Sequence, residues 1–352
     1  MPGKAGAAVA ALGRPLAKAR DNEAAPGSHA AGHFMKAIVC TRYGSPDVLL
    51  LADLPKPVPA DNEVLIKVRA ASVNAFDLHF VQGKPLPIRL LFGLRKPKSR
   101  PGRDVAGQVE AAGGKVTQFK AGDEVFGVCP GALAEYACAA EDKLALKPAG
   151  VSFENAATLP IAAITALQGL RDVGRIQSGQ KVVVDGASGG VGTFAVQIAK
   201  SFGAEVTAVC STGKLDTARS LGADHVIDYK REDFTQSGRR YDLIFGANAY
   251  HPILAYRRAL TPNGIYAVAG GGGVQLLQFI SLGLFLSVIG SRKMRVVSAR
   301  IKQKDLAILA GMLESGKLVP VIDRRYPLSG AADALRYLEE GHARGKAVIT
   351  VD

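Results

Sequence analysis

Between positions 181 and 229 the spacing of apolar residues changes twice, and those changes organise the reading of the chain. Lys181-Val182-Val183-Val184 is a short β-branched run of the kind that forms a buried strand. It empties into Gly186-Ala187-Ser188-Gly189-Gly190-Val191-Gly192, after which the pattern turns helical. Val191, Ala195, Ile198 and Phe202 recur at spacings of four, three and four, which makes one apolar helix face. Gly203 closes that helix, and 205–210 reads as the next strand. Strand, glycine turn, helix and strand in about thirty residues form one βαβ unit.

Alternation continues beyond it, with a strand at 241–245, a helix at 251–260 and a strand at 264–269, the order a doubly wound parallel sheet needs. A helix carrying Leu306, Leu309, Ala310 and Leu313 stops at Gly316, a left-handed cap. A last helix holds Leu335 and Leu338, and a final strand covers 347–351. Upstream the pattern is different. From Met35 to about Asn155, short apolar or alternating runs at 36–40, 63–69, 105–111, 124–128 and 133–138 lie between turn signals, which suggests a small barrel or sandwich. Pro55, Pro57 and Pro59 mark a loop, Phe76 to Gln82 a short helix, and 156–173 a helix leading into the βαβ unit. The fold class is therefore α/β, a β-rich domain followed by a Rossmann-type domain.

The glycines give the βαβ unit its chemistry. The turn reads A-x-G-x-x-G from Ala187 to Gly192. Side chains at Gly189 or Gly192 would block a pyrophosphate or the packing of helix on strand. The first-turn N–H groups, Ser188, Gly189, Gly190 and Val191 among the expected contacts, then face the phosphates. An NAD site usually places Asp or Glu after the second strand to hold the ribose 2′-hydroxyl. This chain has Ser211, Thr212 and Lys214 there and no carboxylate, a set that welcomes a 2′-phosphate. NADPH is the expected cofactor.

Composition narrows the class without naming a partner. The chain has 352 residues, 48% hydrophobic and 21% charged, which describes a soluble globular protein with room for two domains. A formal charge of +13 favours anionic partners, but no nucleic-acid module is present, and none is expected to bind. Cys40, Cys129, Cys138 and Cys210 form no C-x-x-C pair, so a reducing, cytoplasmic setting fits. Residues 1–34 read as a disordered extension; their basic, acid-poor start leaves a transit peptide and an organellar address as the alternative. The uncharged run 274–290, followed by Arg292, Lys293 and Arg295, reads as a lid or subunit-interface segment, with peripheral membrane contact as the alternative.

The stretch 186–192, the run Thr207-Ala208-Val209-Cys210-Ser211 and the stretch Leu221-Gly222-Ala223-Asp224-His225-Val226-Ile227-Asp228-Tyr229 resemble the medium-chain dehydrogenase/reductase superfamily. Within it they are similar to the zinc-free quinone oxidoreductase branch related to zeta-crystallin, over nearly everything from Met35 to Val351. The resemblance implies a GroES-like substrate domain over 35–157, completed by 303–352, a Rossmann domain over 158–302, and a homodimer. Zinc relatives carry Cys and Gly-His-Glu where this chain reads Ser72-Val73-Asn74-Ala75-Phe76-Asp77 and Pro101-Gly102-Arg103-Asp104. Three protein ligands are wanting, and no metal is expected.

By the same resemblance Asn74 lies beside the nicotinamide and Tyr229 near the adenosine phosphate. Asn248 and Ala269-Gly270 flank ribose and nicotinamide, and Lys346 approaches a cofactor phosphate. His79 is the candidate proton donor, and Asp77 braces the turn. Arg89, Arg95, Lys96, Lys98, Arg100 and Arg103 read as a basic loop, a solvated face or a lure for anions. The implied activity is NADPH-dependent, zinc-independent hydride transfer to quinones or α,β-unsaturated carbonyls. The rivals are alcohol–carbonyl interconversion on the same fold, and an NADPH-binding membrane-peripheral or partner-binding protein with little turnover.

Overall fold

The short β-branched runs of the first half pair into antiparallel ladders, and the longer apolar runs of the second half stack in parallel. The computed structural model describes residues 34–271, 282–283, 286 and 290–352. The extension at 1–33 and most of the apolar run 274–290 therefore lie outside the described residues.

β1 (Phe34–Cys40) and β2 (Leu49–Pro55) form a separate antiparallel pair. Pro55, expected in a loop, instead ends β2, where a missing N–H costs no ladder bond. The larger antiparallel body uses β3 (Glu63–Val73), β4 (Asp104–Ala112), β5 (Glu124–Val128), β6 (Tyr136–Ala140) and β7 (Leu144–Leu146). The strand expected at 133–138 begins at Tyr136, and Leu133 is buried in the preceding turn. Between β3 and β4 lie α1 (Ala75–Gln82) and α2 (Leu86–Phe92). The expected basic loop is thus partly helical, and Arg103 is only 8% exposed, packed over Phe76, Phe80 and Phe92.

Pro160 splits the helix expected at 156–173. Lacking an N–H, it starts a helix rather than continuing one, so α3 (Phe153–Ala157) gives way to α4 (Pro160–Gln168) and a π-turn over Gly169–Val173. The second sheet then runs β8 (Lys181–Asp185), α5 (Gly190–Ser201), β9 (Glu205–Cys210), β10 (His225–Asp228), β11 (Tyr241–Gly246), β12 (Leu260–Val268) and β13 (Lys293–Val296). All six strands are parallel, in the spatial order β10-β9-β8-β11-β12-β13. The order reverses at β8, and the crevice above that switch point is where such sheets bind nucleotides.

The chain then returns. β14 (Ile322–Pro327) and β15 (Lys346–Thr350) join the first sheet, with β15 antiparallel to β3 and Ala347 opposite Val73. That register sets Lys346 beside Asn74 and closes the first sheet in the order β14-β15-β3-β4-β5-β7.

Helix α5 departs from its one-sided pattern. Gly192 through Ala199 are all buried, Gln197 included, because the segment before β14 covers the face turned away from the sheet. Gln197 matches the backbone of Val319 with both ends of its amide, donating to O at 3.0 Å and accepting from N at 2.7 Å. Gln197→Leu is expected to lower unfolding free energy by about 1–3 kcal/mol, since a part-buried backbone pair loses its partner. Denaturant unfolding of both proteins checks this; equal stability would mean water replaces the amide.

Candidate active site

β8 ends at Asp185, and Gly186 turns the chain with φ +83° into the loop that opens α5. A Cβ on Gly192 would lie 2.1 Å from the Gly186 carbonyl oxygen, so only glycine lets helix and turn meet. At Gly190 the neighbour is Lys346, whose Cδ would be 2.9 Å from an added Cβ. Ser188, Gly189, Gly190 and Val191 are partly accessible, and first-turn N–H groups have no helical carbonyl to bond. The cradle suits a pyrophosphate.

Cations converge at the far end of the crevice. Ser211 and Thr212 follow β9; the Thr212 hydroxyl is engaged by the Asp228 carboxylate. Lys214 donates Nζ to Ala343 O at 2.9 Å, and Arg344 comes within 3.8 Å of the position a Gly213 Cβ would take. Burial and then the Arg344 charge hold the Lys214 ammonium below its usual pKa. Two mutually repelling cations at one spot favour an anion between them, which fits a 2′-phosphate. Arg344 is not among the residues expected from sequence; its contact depends on β15 folding back.

Tyr229 is 46% exposed and its ring lies 5.6 Å from that of Tyr250. Asn248 is exposed beside the turn, its N–H donating to Asp185 O at 3.2 Å, while Gly270 N donates to Gly246 O at 3.2 Å, next to Ala269. Beneath them Asp185 is wholly buried and accepts from Tyr256 Oη at 2.6 Å. Burial pushes its carboxyl up to about 7. The Tyr256 hydroxyl also accepts from the N–H groups of Tyr250 and His251, at 3.1 and 3.3 Å, so this hub shapes the loop carrying Asn248 and Tyr250. No short motif marks the pair; it forms where the helix Ile253–Ala259 meets the end of β8.

A second polar group lies one lysine side chain away from Gly190. Lys346 Nζ donates to Asn74 Oδ1 at 2.6 Å, and Asn74 Nδ2 donates to Asp104 Oδ2 at 2.9 Å. Asp104 Oδ2 also takes the Ser72 hydroxyl at 2.8 Å, and Oδ1 takes the Ile161 N–H at 3.0 Å, in the first turn of α4. Asp77 accepts the Asn74 backbone N–H at 2.9 Å, as the brace expected of it; burial and the Asp104 charge push its carboxyl up to about 6. The Lys346 ammonium is thus directed at Asn74, with its stem across Gly190. His79 lies on the exposed part of α1, where partial desolvation lowers its pKa and leaves the neutral ring in excess at pH 7.

Among the described residues no three His, Cys, Asp or Glu side chains lie together. Where zinc relatives hold metal ligands this chain places Asn74, Arg103 and Asp104, with the Lys346 ammonium already on the carboxylate, a donor set that does not fit a dication.

Two family models match the chain, "Alcohol dehydrogenase GroES-like domain" over residues 60–149 and "Zinc-binding dehydrogenase" over 221–349. The chloroplast envelope quinone oxidoreductase homolog of Arabidopsis thaliana is 35% identical over 335 residues, covering 91% of this chain and 99% of that protein. The NADPH-dependent alkenal/one oxidoreductase of the same plant's chloroplast is 36% identical over 336 residues, 90% of this chain and 79% of that one. The solved quinone oxidoreductase of Coxiella burnetii superposes with a TM-score of 0.81 at 30% identity, over 91% of this chain and 100% of that chain. A glycine cradle at the switch point, a returning β15 and likeness along the full length of such relatives agree: the chain belongs to the medium-chain dehydrogenase/reductase superfamily, in its zinc-free quinone oxidoreductase branch.

Proposed function

We propose that this chain is an NADPH-dependent, zinc-independent oxidoreductase that reduces quinones or α,β-unsaturated carbonyls. The observation that carries the reading is the dinucleotide cradle lying one lysine side chain from a buried polar group with no metal-type donor set. NADPH, when bound, supplies the hydride, and the acceptor must already be electron-poor to take it without a Lewis acid. Ser188, Gly189, Gly190 and Val191 cradle the pyrophosphate, with the N–H groups of Gly190 and Val191 in the first turn of α5 as donors, since the Gly189 N–H is already given to Gly186 O. Ser211, Lys214 and Arg344 hold the 2′-phosphate, with Thr212 and Tyr229 beside it. Asn248, Ala269 and Gly270 line the ribose and nicotinamide, and Asn74 orients ring or acceptor.

We infer that His79 supplies a proton where the product needs one, through the imidazolium that is its minority form at pH 7. We infer a substrate domain over 35–157 with 303–352 and a cofactor domain over 158–302, which the division of strands between the two sheets supports.

We also infer a cytoplasmic homodimer that touches membranes peripherally; an organellar address applies instead if residues 1–34 act as a transit peptide. No helix among the described residues is long and apolar enough to cross a membrane. The contact surface is α2 together with the turn after its last residue. Leu86, Leu90 and Leu94 are 66%, 67% and 65% exposed, and Lys84, Arg95, Lys96 and Lys98 are exposed around them. Exposed leucines ringed by cations suit an anionic lipid interface, where an apolar quinone would also concentrate.

Purified protein is expected to oxidise NADPH against a small quinone and enone panel, unaffected by a zinc chelator. Activity lost to the chelator would overturn the zinc-independent reading, and a His79→Ala enzyme with unchanged rate and pH profile would remove that proton donor. Lys214→Ala/Arg344→Ala should weaken NADPH binding by about a hundredfold or more and leave NADH binding nearly unchanged, by nicotinamide fluorescence titration, because each charge-assisted contact contributes about 1.5–3 kcal/mol. Equal weakening of both cofactors would move the 2′-phosphate elsewhere. The protein should float with phosphatidylserine vesicles at low salt, and Leu90→Ser/Leu94→Ser should reduce that fraction; a wholly soluble wild type, or a dimer masking the patch by sedimentation, counts against the lipid contact.

A further inference from the structure

The amide of Asn74 is held at both ends by groups that permit only one orientation. Oδ1 faces the Lys346 ammonium at 2.6 Å, and Nδ2 faces the Asp104 carboxylate at 2.9 Å. An ammonium can only donate and a carboxylate only accept, so turning the amide over would set donor against donor and acceptor against acceptor. The clamp is rigid. Lys346 is 2% exposed and also reaches Val73 O at 3.3 Å and Asp104 Oδ2 at 3.4 Å. Asp104 is fully buried and fastened by Ser72 and Ile161 N. Burial raises the Asp104 carboxyl and lowers the Lys346 ammonium from their ordinary values, while each charge counters that effect on the other.

The other Nδ2 hydrogen of Asn74 is held only weakly. The distance from Nδ2 to Asp77 Oδ2 is 3.5 Å, too long for a good hydrogen bond, and Asp77 already serves the Asn74 backbone. Asn74 is only partly buried, so an acceptor oxygen entering beside it can compete for the hydrogen held by this weak contact. A cation on the amide oxygen draws electron density from the nitrogen and strengthens that donor.

We propose that Lys346 and Asp104 are positioning residues which hold Asn74 as a one-way hydrogen-bond donor to the carbonyl oxygen of the acceptor molecule. The inference rests on the quinone/enone reading of the function. When a hydride pair adds to an enone or quinone, a C–H bond forms and the π electrons move onto the carbonyl oxygen, which carries the negative charge until a proton from water or a nearby acid neutralises it. A donor fixed at that oxygen before reaction stabilises the developing charge without reorganising. The assignment differs from a phosphate contact for Lys346, since its Nζ has three partners inside the clamp and only its stem crosses Gly190.

Lys346→Gln tests the idea, with Lys346→Gln/Asp104→Asn as the companion variant that leaves no uncompensated buried charge should the single change fail to fold. With the best acceptor of the wild-type panel, kcat should fall about tenfold, less than the ~10²–10³-fold cost of removing an oxyanion donor outright because Asn74 is weakened and not lost. The NADPH Kd, read by nicotinamide fluorescence, should stay within about twofold of wild type, because the phosphates are held elsewhere. A Kd raised about tenfold with kcat intact at saturating NADPH would return Lys346 to the cofactor phosphate and overturn the proposal, as would unchanged kcat and KM. A readout free of turnover separates this from failure of the functional reading. The Asn74 side-chain ¹⁵N–¹H signals, assigned by their loss in Asn74→Ala, should shift in ligand-free Lys346→Gln, and signals that stay in place would overturn the clamp even if no acceptor is ever reduced.

Discussion

A lysine ammonium and an aspartate carboxylate, both buried, tie the returning last strand to the antiparallel sheet. Either charge alone in such a place would cost several kcal/mol of lost hydration. Together, Lys346 and Asp104 offset that cost only if hydrogen bonds complete their shells, and here Asn74, Ser72, Val73 and Ile161 do so. The cluster gathers distant parts of the chain: Ser72, Val73 and Asn74 at the end of β3, Asp104 at the start of β4, Ile161 in the first turn of α4 and Lys346 on the returning β15. The pair therefore joins the antiparallel sheet to the helix that leads into the parallel one. It also explains why the final strand matters to chemistry, since a register slip of β15 against β3 would turn Lys346 out of the clamp.

Electrostatics divide the crevice into two regions of different kind. Beyond β9, Lys214 and Arg344 repel one another, with the Asp323 carboxylate offsetting part of that charge. Beside Asn74 the Lys346 charge is already neutralised by Asp104. In the proposed function the first region would select the cofactor, and the second would present oriented dipoles to an acceptor that brings little charge of its own. Aromatic packing completes the separation, with Arg103 held over Phe76, Phe80 and Phe92 instead of facing the cleft.

Local pattern carries the reading a long way where burial is decided locally. A strand covered on both faces must be apolar throughout, so Val182, Val183 and Val184 announce β8, and the A-x-G-x-x-G turn announces the cradle. Asn74 and Lys346 stand out in the sequence through the motifs that contain them, but the Lys346 ammonium, expected near a cofactor phosphate, lies on Asn74. Less legible are features set by neighbours distant in sequence. Gln197 reads as the polar side of α5 and is buried because the segment near Val319 lies over it. Arg103 reads as one more cation in a basic run and is buried against three rings. Asp185 and Tyr256 carry no motif, yet their contact shapes the loop at Asn248.

The order of elements, the two-part α/β organisation, the phosphate loop and the absence of an acid after β9 were determined by sequence alone, because each depends on spacing within a few residues. Tertiary structure decided what the polar side chains do. Whether a lysine meets a phosphate or an asparagine depends on strand register across the whole chain, and local pattern does not encode that register. Nor does it encode which cations meet, as Lys214 and Arg344 do after β15 brings the chain's end back.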